Sequence, residues 1–293
     1  APLAQPPEQL STLVGLETRV PGQGKQTFTQ LGEGLSYDGR FVGFWGAWGA
    51  DTKTVRLYCP EEGNRDRRFY CNRAVDPQTG EIPGGGDGDP NSICDDMTDP
   101  KWPDVCYQEK LVPVNQGIFV YDSVGKGKLR LVARAGAGVE FDDFVYWNYS
   151  GAPPGAGESE GDAEPPRWRS SAFLAVSQRA GATSRTAFLA RKGGIDQDTN
   201  VYVDPVDGIY LAVQLGAAKP RLTTLVQTGM DGTVLDPDAV DPESEEVLPI
   251  TSVALERDAF RGDWLAITAS MGTEEAGWAG VYLTRLSSQG SGK

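Results

Sequence analysis

Short apolar runs recur along the 293 residues, each bounded by Gly, Pro, Asp or Asn. Phe41-Val42-Gly43-Phe44-Trp45, Gly117-Ile118-Phe119-Val120-Tyr121, Ala187-Phe188-Leu189-Ala190 and Trp264-Leu265-Ala266-Ile267-Thr268 are examples. No stretch keeps apolar residues at i, i+3, i+4 and i+7 over three turns, the spacing that an amphipathic helix needs. Runs of this length between turn-forming residues read as β-strands. The pattern therefore predicts an all-β chain.

The runs recur in a fixed order. A Leu-Val pair stands at 13–14, 131–132 and 225–226, each followed by a polar stretch containing Gly. A hydrophobic strand ending in small residues comes next: Phe41 to Gly49, Phe173 to Ser177 with Ala187 to Gly193, and Trp264 to Gly272. Each unit closes on Gly, a branched aliphatic, an aromatic and an aliphatic, at Gly117 to Val120, Gly208 to Leu211 and Gly280 to Leu283. The closing Gly precedes the next Leu-Val pair by 14 residues in one case and 17 in the other. Such order and spacing mark an internal repeat of about three units.

In the first unit, Ser36-Tyr37-Asp38-Gly39-Arg40-Phe41-Val42-Gly43-Phe44 resembles the S-x-D-G-R-x-[IV]-[AG]-F blade motif of TolB-like β-propellers. The match spans about ten residues, and in that motif Asp-Gly makes the tight turn between two strands. The third unit lengthens the turn, with Leu255 to Asp258 followed by Gly262-Asp263-Trp264, and the middle unit keeps less. The layout as a whole is similar to secreted or surface-anchored propeller-type repeats. The resemblance implies one small propeller-like domain over 1–293, of antiparallel strands; it implies no function. Without the insertions each unit has about 50 residues, close to one four-stranded blade, and three would make an unusually small ring. A β-sandwich of two sheets is the alternative. Three insertions interrupt the units: 59–106, a low-complexity loop at 150–168, and an acidic, Pro-containing loop at 229–249.

Composition narrows compartment and chemistry. Gly and Pro number 37 and 20, which suits a chain of many turns. The four cysteines, Cys59, Cys71, Cys94 and Cys106, all fall in the first insertion. An even, clustered count predicts two local disulfides, with 59–71 and 94–106 preferred as the shorter loops. Free thiols are the alternative, and zinc is weaker because no C-x-x-C spacing occurs. The N-terminal Ala1-Pro2-Leu3 has the form of a processed end, and Asn148-Tyr149-Ser150 is a glycosylation triplet. These features together predict a secreted, extracellular protein.

The chain has no His, which removes His-based triads, His-ligated metals and an imidazole base. Its 41 acidic against 27 basic residues give a net charge of -14 and argue against a nucleic-acid partner. No apolar run approaches a membrane span. Glycine runs such as 84–86 lack the context and the Lys-Ser/Thr of a phosphate loop.

Several constellations remain. Asp196, Asp198, Asn200, Asp204 and Asp207 occupy positions 1, 3, 5, 9 and 12 of a twelve-residue loop, the oxygen spacing of an EF-hand-like site for a structural calcium. Val201 stands where the turn glycine belongs, Asp207 replaces the Glu and no flanking helices are visible; one face of a solvated strand or turn is the alternative. Asp87, Asp89, Asn91 and Asp95 form a second such loop. Trp48, Tyr146 and Trp147 lie beside glycines or acids at strand ends, where aromatic faces can stack on sugar rings; Trp45 reads as core. Glu140, Asp142 and Asp143, with Glu33, are the acids nearest these aromatics. Two carboxylates at suitable separation can hydrolyse a glycosidic bond without His. A lyase would instead use Tyr37 or Tyr146 with Arg40 or Lys53. The functional expectation is cleavage of an extracellular polysaccharide by carboxylate-based hydrolysis, with no required cofactor. A lyase, or a non-catalytic carbohydrate-binding or surface-interaction module, are the alternatives.

Overall fold

The computed structural model describes residues 11–58, 100, 107–124, 127–144, 146–150, 167–171, 174–177, 184–215, 220–272 and 277–286. For 33, 57–58, 107–110, 146–150, 167–171 and 278 the description is of the backbone alone. The four cysteines, the acidic run 87–96 and most of the 150–168 loop lie outside the described residues.

Strands β1 (Phe28–Tyr37), β2 (Phe41–Trp48), β3 (Thr52–Tyr58), β4 (Tyr107–Pro113), β5 (Gln116–Asp122) and β6 (Lys128–Ala135) come first. They are followed by β7 (Tyr146–Ser150), β8 (Arg167–Ser171), β9 (Leu174–Ser177), β10 (Arg185–Lys192), β11 (Val206–Val213) and β12 (Arg221–Gln227). The last are β13 (Ile250–Ala254), β14 (Phe260–Arg261), β15 (Trp264–Gly272) and β16 (Gly277–Arg285). All pairings between these strands are antiparallel. One 3-10 turn, at Gly232–Val234, is the helical structure among the described residues. The all-β expectation holds.

Three larger sheets form in chain order. Sheet 1 runs β1-β2-β5-β6, sheet 2 runs β12-β11-β10-β9, and in sheet 3 both β13 and β14 pair with β15, which also pairs with β16. The hairpin β3-β4 interrupts sheet 1, and β7-β8 precedes sheet 2. The three sheets pack in series, sheet 2 lying between sheets 1 and 3.

Burial follows the sequence pattern of each sheet. Sheet 2 is covered on both faces, so β10 and β11 are almost continuously buried. Phe188, Ala190, Tyr210 and Ala212 pack with Phe41, Trp45, Ile118 and Val120 of sheet 1. The alternate residues Ala187, Leu189, Ile209 and Leu211 pack with Ile250, Leu265, Ile267 and Met271 of sheet 3. In β15, buried Leu265, Ile267, Ala269 and Met271 alternate strictly with exposed or half-buried Trp264, Ala266, Thr268 and Ser270, so among the described residues one face of the strand is covered. The outer face of sheet 1 has its own cluster of Phe28, Phe44, Trp48 and Phe119, against which Val14 and Val20 of the N-terminal segment pack.

The Leu-Val pairs take a place that their spacing did not suggest. Leu131-Val132 lies in β6 and Leu225-Val226 in β12, each beside the Gly-Ile strand of its own sheet. They close units and do not open them. Leu13-Val14 forms no strand; Val14 is used as cover for the first sheet. The Asp38-Gly39 turn between β1 and β2 is built as the motif implies. Asp38 Oδ1 accepts from the backbone N–H groups of Arg40 at 2.9 Å and Phe41 at 2.8 Å, and Gly39 has φ of 98°.

Polar groups fasten the three sheets near their first strands. The buried hydroxyl of Ser36 in β1 donates to Arg257 O, 3.0 Å away, and accepts from Val176 N–H in β9, also at 3.0 Å. The buried Arg185 in β10 donates to Gly262 O and Leu286 O, each at 3.2 Å, and to Asp263 Oδ1 at 2.7 Å. No helix among the described residues is long and apolar enough to cross a membrane.

Candidate functional site

Two of the three candidate carboxylates, Asp142 and Asp143, are placed by their backbone. The chain leaves β6 through Gly136 (φ 131°), and Phe141 and Phe144 sink into the core between sheets 1 and 2. Asp142 N–H donates to Arg191 O and Arg191 N–H donates to Asp143 O, both at 2.9 Å. This bridge turns the Asp143 carboxylate inward, where it is 1% exposed. Tyr202 Oη donates to Asp143 Oδ2 at 2.5 Å. Lys53 Nζ lies 3.8 Å from the same oxygen and donates to Asp142 O at 2.8 Å. The Arg191 guanidinium sits 4.6 Å from the Tyr202 ring centre and grips Asp207 with two bonds, 2.6 and 2.8 Å. Beside it Lys192 Nζ donates to Glu140 Oε1 at 2.8 Å and lies over the rings of Phe141 and Tyr210.

The surroundings hold the protons of Tyr202, Tyr210 and Lys192 in place. Burial, then the charge of Asp143 and its hydrogen bond, push the Tyr202 phenol far above the usual tyrosine value, against a smaller opposing effect of Arg191. Tyr202 is therefore a standing donor and no base at neutral pH. Burial also raises Tyr210, opposed by Lys192. For Lys192, burial acts to lower the pKa, but the bond to Glu140 and the charges of Tyr210 and Glu140 outweigh it and hold the ammonium above its ordinary value. Asp143, Glu140 and Asp207 each have a cation in contact, which makes the cluster a set of closed ion pairs. Asp142 is half-buried and contributes its backbone.

The other expected site residues scatter. Trp48, expected as a surface shelf, is 3% exposed: Phe28, Phe44 and Phe119 enclose it, with Arg134 over its ring at 5.8 Å. That correction has a simple cause. The N-terminal segment 11–27 covers the outer face of sheet 1, so the strand end that looked open in sequence lies under it. Trp45 is core, and its indole N–H donates to Gln116 Oε1 at 2.9 Å. Arg40 forms a bidentate pair with Asp122, at 2.9 and 2.8 Å, and this pairing holds the Asp122 carboxyl below its usual value. Tyr37 is exposed and donates to Gly39 O. Tyr146 and Trp147 lie in β7, with their side chains outside the described residues.

The acidic loop 196–207 forms a turn in which the Asp196 carboxylate binds the backbone of the residues that follow it. Asp196 Oδ1 accepts from the N–H groups of Asp198 at 2.7 Å and Thr199 at 3.1 Å, which lowers its pKa. Asn200 and Asp204 take left-handed φ values of 58° and 44°. Asp207 faces Arg191. Among the described residues no three acidic or cysteine side chains gather closely enough to hold a metal ion.

The surface that sequence reasoning missed is the outer face of sheet 3. Trp264 is 47% exposed there, opposite Arg285 of β16, whose guanidinium lies 5.8 Å from the indole. Ser252, Thr268 and Ser270 share that face, with Ala279 and Val281 across from them. They border a shallow hollow of about 460 Å³. Four residues of strand, about 13 Å, separate Trp264 from Thr268. The signal was available in the period-2 alternation of Trp264 to Met271, whose other half is exposed or half-buried. No family model, curated protein or solved structure matches this chain.

Proposed function

We propose that this chain is a non-catalytic, extracellular carbohydrate-binding module whose ligand lies along the open face of sheet 3. The observation that carries this reading is the Trp264–Arg285 pair at the end of a shallow, hydroxyl-bearing face. An exposed indole offers an apolar plane to the C–H face of a sugar ring. Ser252, Thr268 and Ser270 offer hydroxyls that donate or accept, and Arg285 offers fixed donors. An open face suits a polymer that continues beyond the protein. The net charge of -14 favours a neutral polysaccharide over an acidic one, because like charges repel at long range.

The carboxylate cluster supports the non-catalytic reading from the other side. A glycosidase needs one carboxyl held protonated and a second free to act. Glu140 and Asp143 are both in contact with lysines, and Asp143 is sealed from solvent. Tyr202, the phenol beside these carboxylates, is shifted away from ionisation and is unsuited to serve as a lyase base.

Affinity electrophoresis on neutral and acidic polysaccharides, with reducing-end and unsaturated-uronate assays on the same panel, tests the proposal. Retardation by a neutral polymer, weakened about tenfold or more by Trp264→Ala, is the expected outcome; tenfold corresponds to about 1.4 kcal/mol. Release of reducing ends would restore the hydrolase reading, and a rise in uronate absorbance the lyase. No retardation by any polymer would end the carbohydrate assignment.

A further inference from the structure

Sheets 1 and 2 place a fourth strand outside the strand that carries the Gly-Ile-aromatic sequence: β6 lies outside β5, and β12 outside β11. In sheet 3 the corresponding strand is β16, with Gly280-Val281-Tyr282-Leu283. It pairs with β15 through nine consecutive residue pairs without a bulge, and among the described residues no strand lies on its other side. Val281 is 78% exposed and Leu283 64%. Edge strands are commonly guarded by Pro, by charge or by a bulge. Here β16 has no Pro and no bulge, and its one charged residue, Arg285, is terminal.

The sequence on either side of the described residues carries little strand-forming pattern. Residues 1–10 contain three prolines, which cannot donate to a ladder. Residues 287–293, Ser-Ser-Gln-Gly-Ser-Gly-Lys, contain no apolar side chain. The third Leu-Val pair, Leu13-Val14, lies in a segment whose Val14 packs on sheet 1.

We infer that β16 is the interface with a second copy of this chain, the two strands pairing antiparallel about a two-fold axis at Val281. The sequence is self-complementary in this register. Val281 meets its own copy, Leu283 meets Ala279, and Arg285 meets Gly277, so large side chains oppose small ones and no like charges face each other. A two-fold contact requires such matching of a surface with itself. A nine-residue antiparallel ladder adds about eight backbone hydrogen bonds. It also makes one continuous sheet of the two third sheets, with their open faces joined side by side. This inference goes beyond the proposed ligand and does not depend on it.

Light scattering on the full chain over a range of concentrations, with charge-swap variants, decides the matter. The wild type is expected to approach twice 31.5 kDa as concentration rises. Val281→Lys and Val281→Glu, both at an exposed position, should each remain monomeric with an unchanged melting temperature. Mixing the two should restore the dimer mass, an outcome that misfolding could not produce. A wild type that stays monomeric at every concentration overturns the inference. So does a dimer that survives both single variants, since it must use another surface.

Discussion

At the scale of single residues, the most consequential group is Tyr202. Its phenol is held between Asp143 and Arg191, and burial together with the neighbouring carboxylate keeps its proton on. Tyrosine in the unfolded chain titrates at about 10. The folded value lies higher, so between the two the native state binds more protons than the unfolded state. The stability contributed by this group is complete below about pH 10 and declines as pH rises toward the folded value. Melting temperature should therefore fall with pH above about 10, and Tyr202→Phe should flatten part of that slope. Identical slopes for the two proteins would show that Tyr202 is not the group responsible. The residue scale is also where sequence reading was least able to succeed. Glu140, Asp142 and Asp143 sit within four positions of one another, yet the backbone bridge to Arg191 and the packing of Phe141 and Phe144, both invisible in the sequence, set Asp143 inward while Glu140 stays exposed. Trp48 and Trp264 are the same residue type at strand ends. One is core and the other surface because the N-terminal segment covers sheet 1, while among the described residues no segment covers the outer face of sheet 3.

Elements were far more legible. The runs at Phe41, Gly117, Ala187 and Trp264 lie in β2, β5, β10 and β15, because alternating or continuous apolar residues need a sheet to bury them. Leu13-Val14 shows the limit: a two-residue signal has no strand without a partner. Glycine within a strand has a similar dependence on context. A Cβ at Gly43 of β2 would collide with Val176 and Leu174 of β9, so this glycine sets the close approach of sheets 1 and 2. Gly43→Ala is expected to cost about 1–3 kcal/mol through overpacking. Denaturant titration would read this as a lower midpoint at unchanged slope, and an unaltered midpoint would mean that the sheets can separate without cost.

On the scale of the whole molecule, the sheets behave as layers fastened by a few buried polar groups. Arg185 reaches from sheet 2 to the 262–263 turn and Leu286, and its guanidinium is 5.3 Å from the Phe260 ring. Its pairing with Asp263 is well shielded, with side-chain exposures of 3% and 15%. Removing one partner of a buried pair leaves the other charge uncompensated, and Arg185→Ala should cost about 3–5 kcal/mol. Proteolysis is the informative probe, since the 250–286 region should become the first to be cut. Resistance equal to that of the wild type would show that apolar contact alone holds sheet 3.

The burial of sheet 2 on both faces has a consequence for synthesis. When residue 227 has been made, β9 to β12 are complete, but Ala187, Leu189, Ile209 and Leu211 still lack their cover. That cover ends at Leu286, and translation at about 5–20 residues per second needs roughly 3–12 s to reach it. For those seconds the nascent chain displays a nearly finished sheet with one oily side, an opening for a chaperone and a hazard on a crowded polysome.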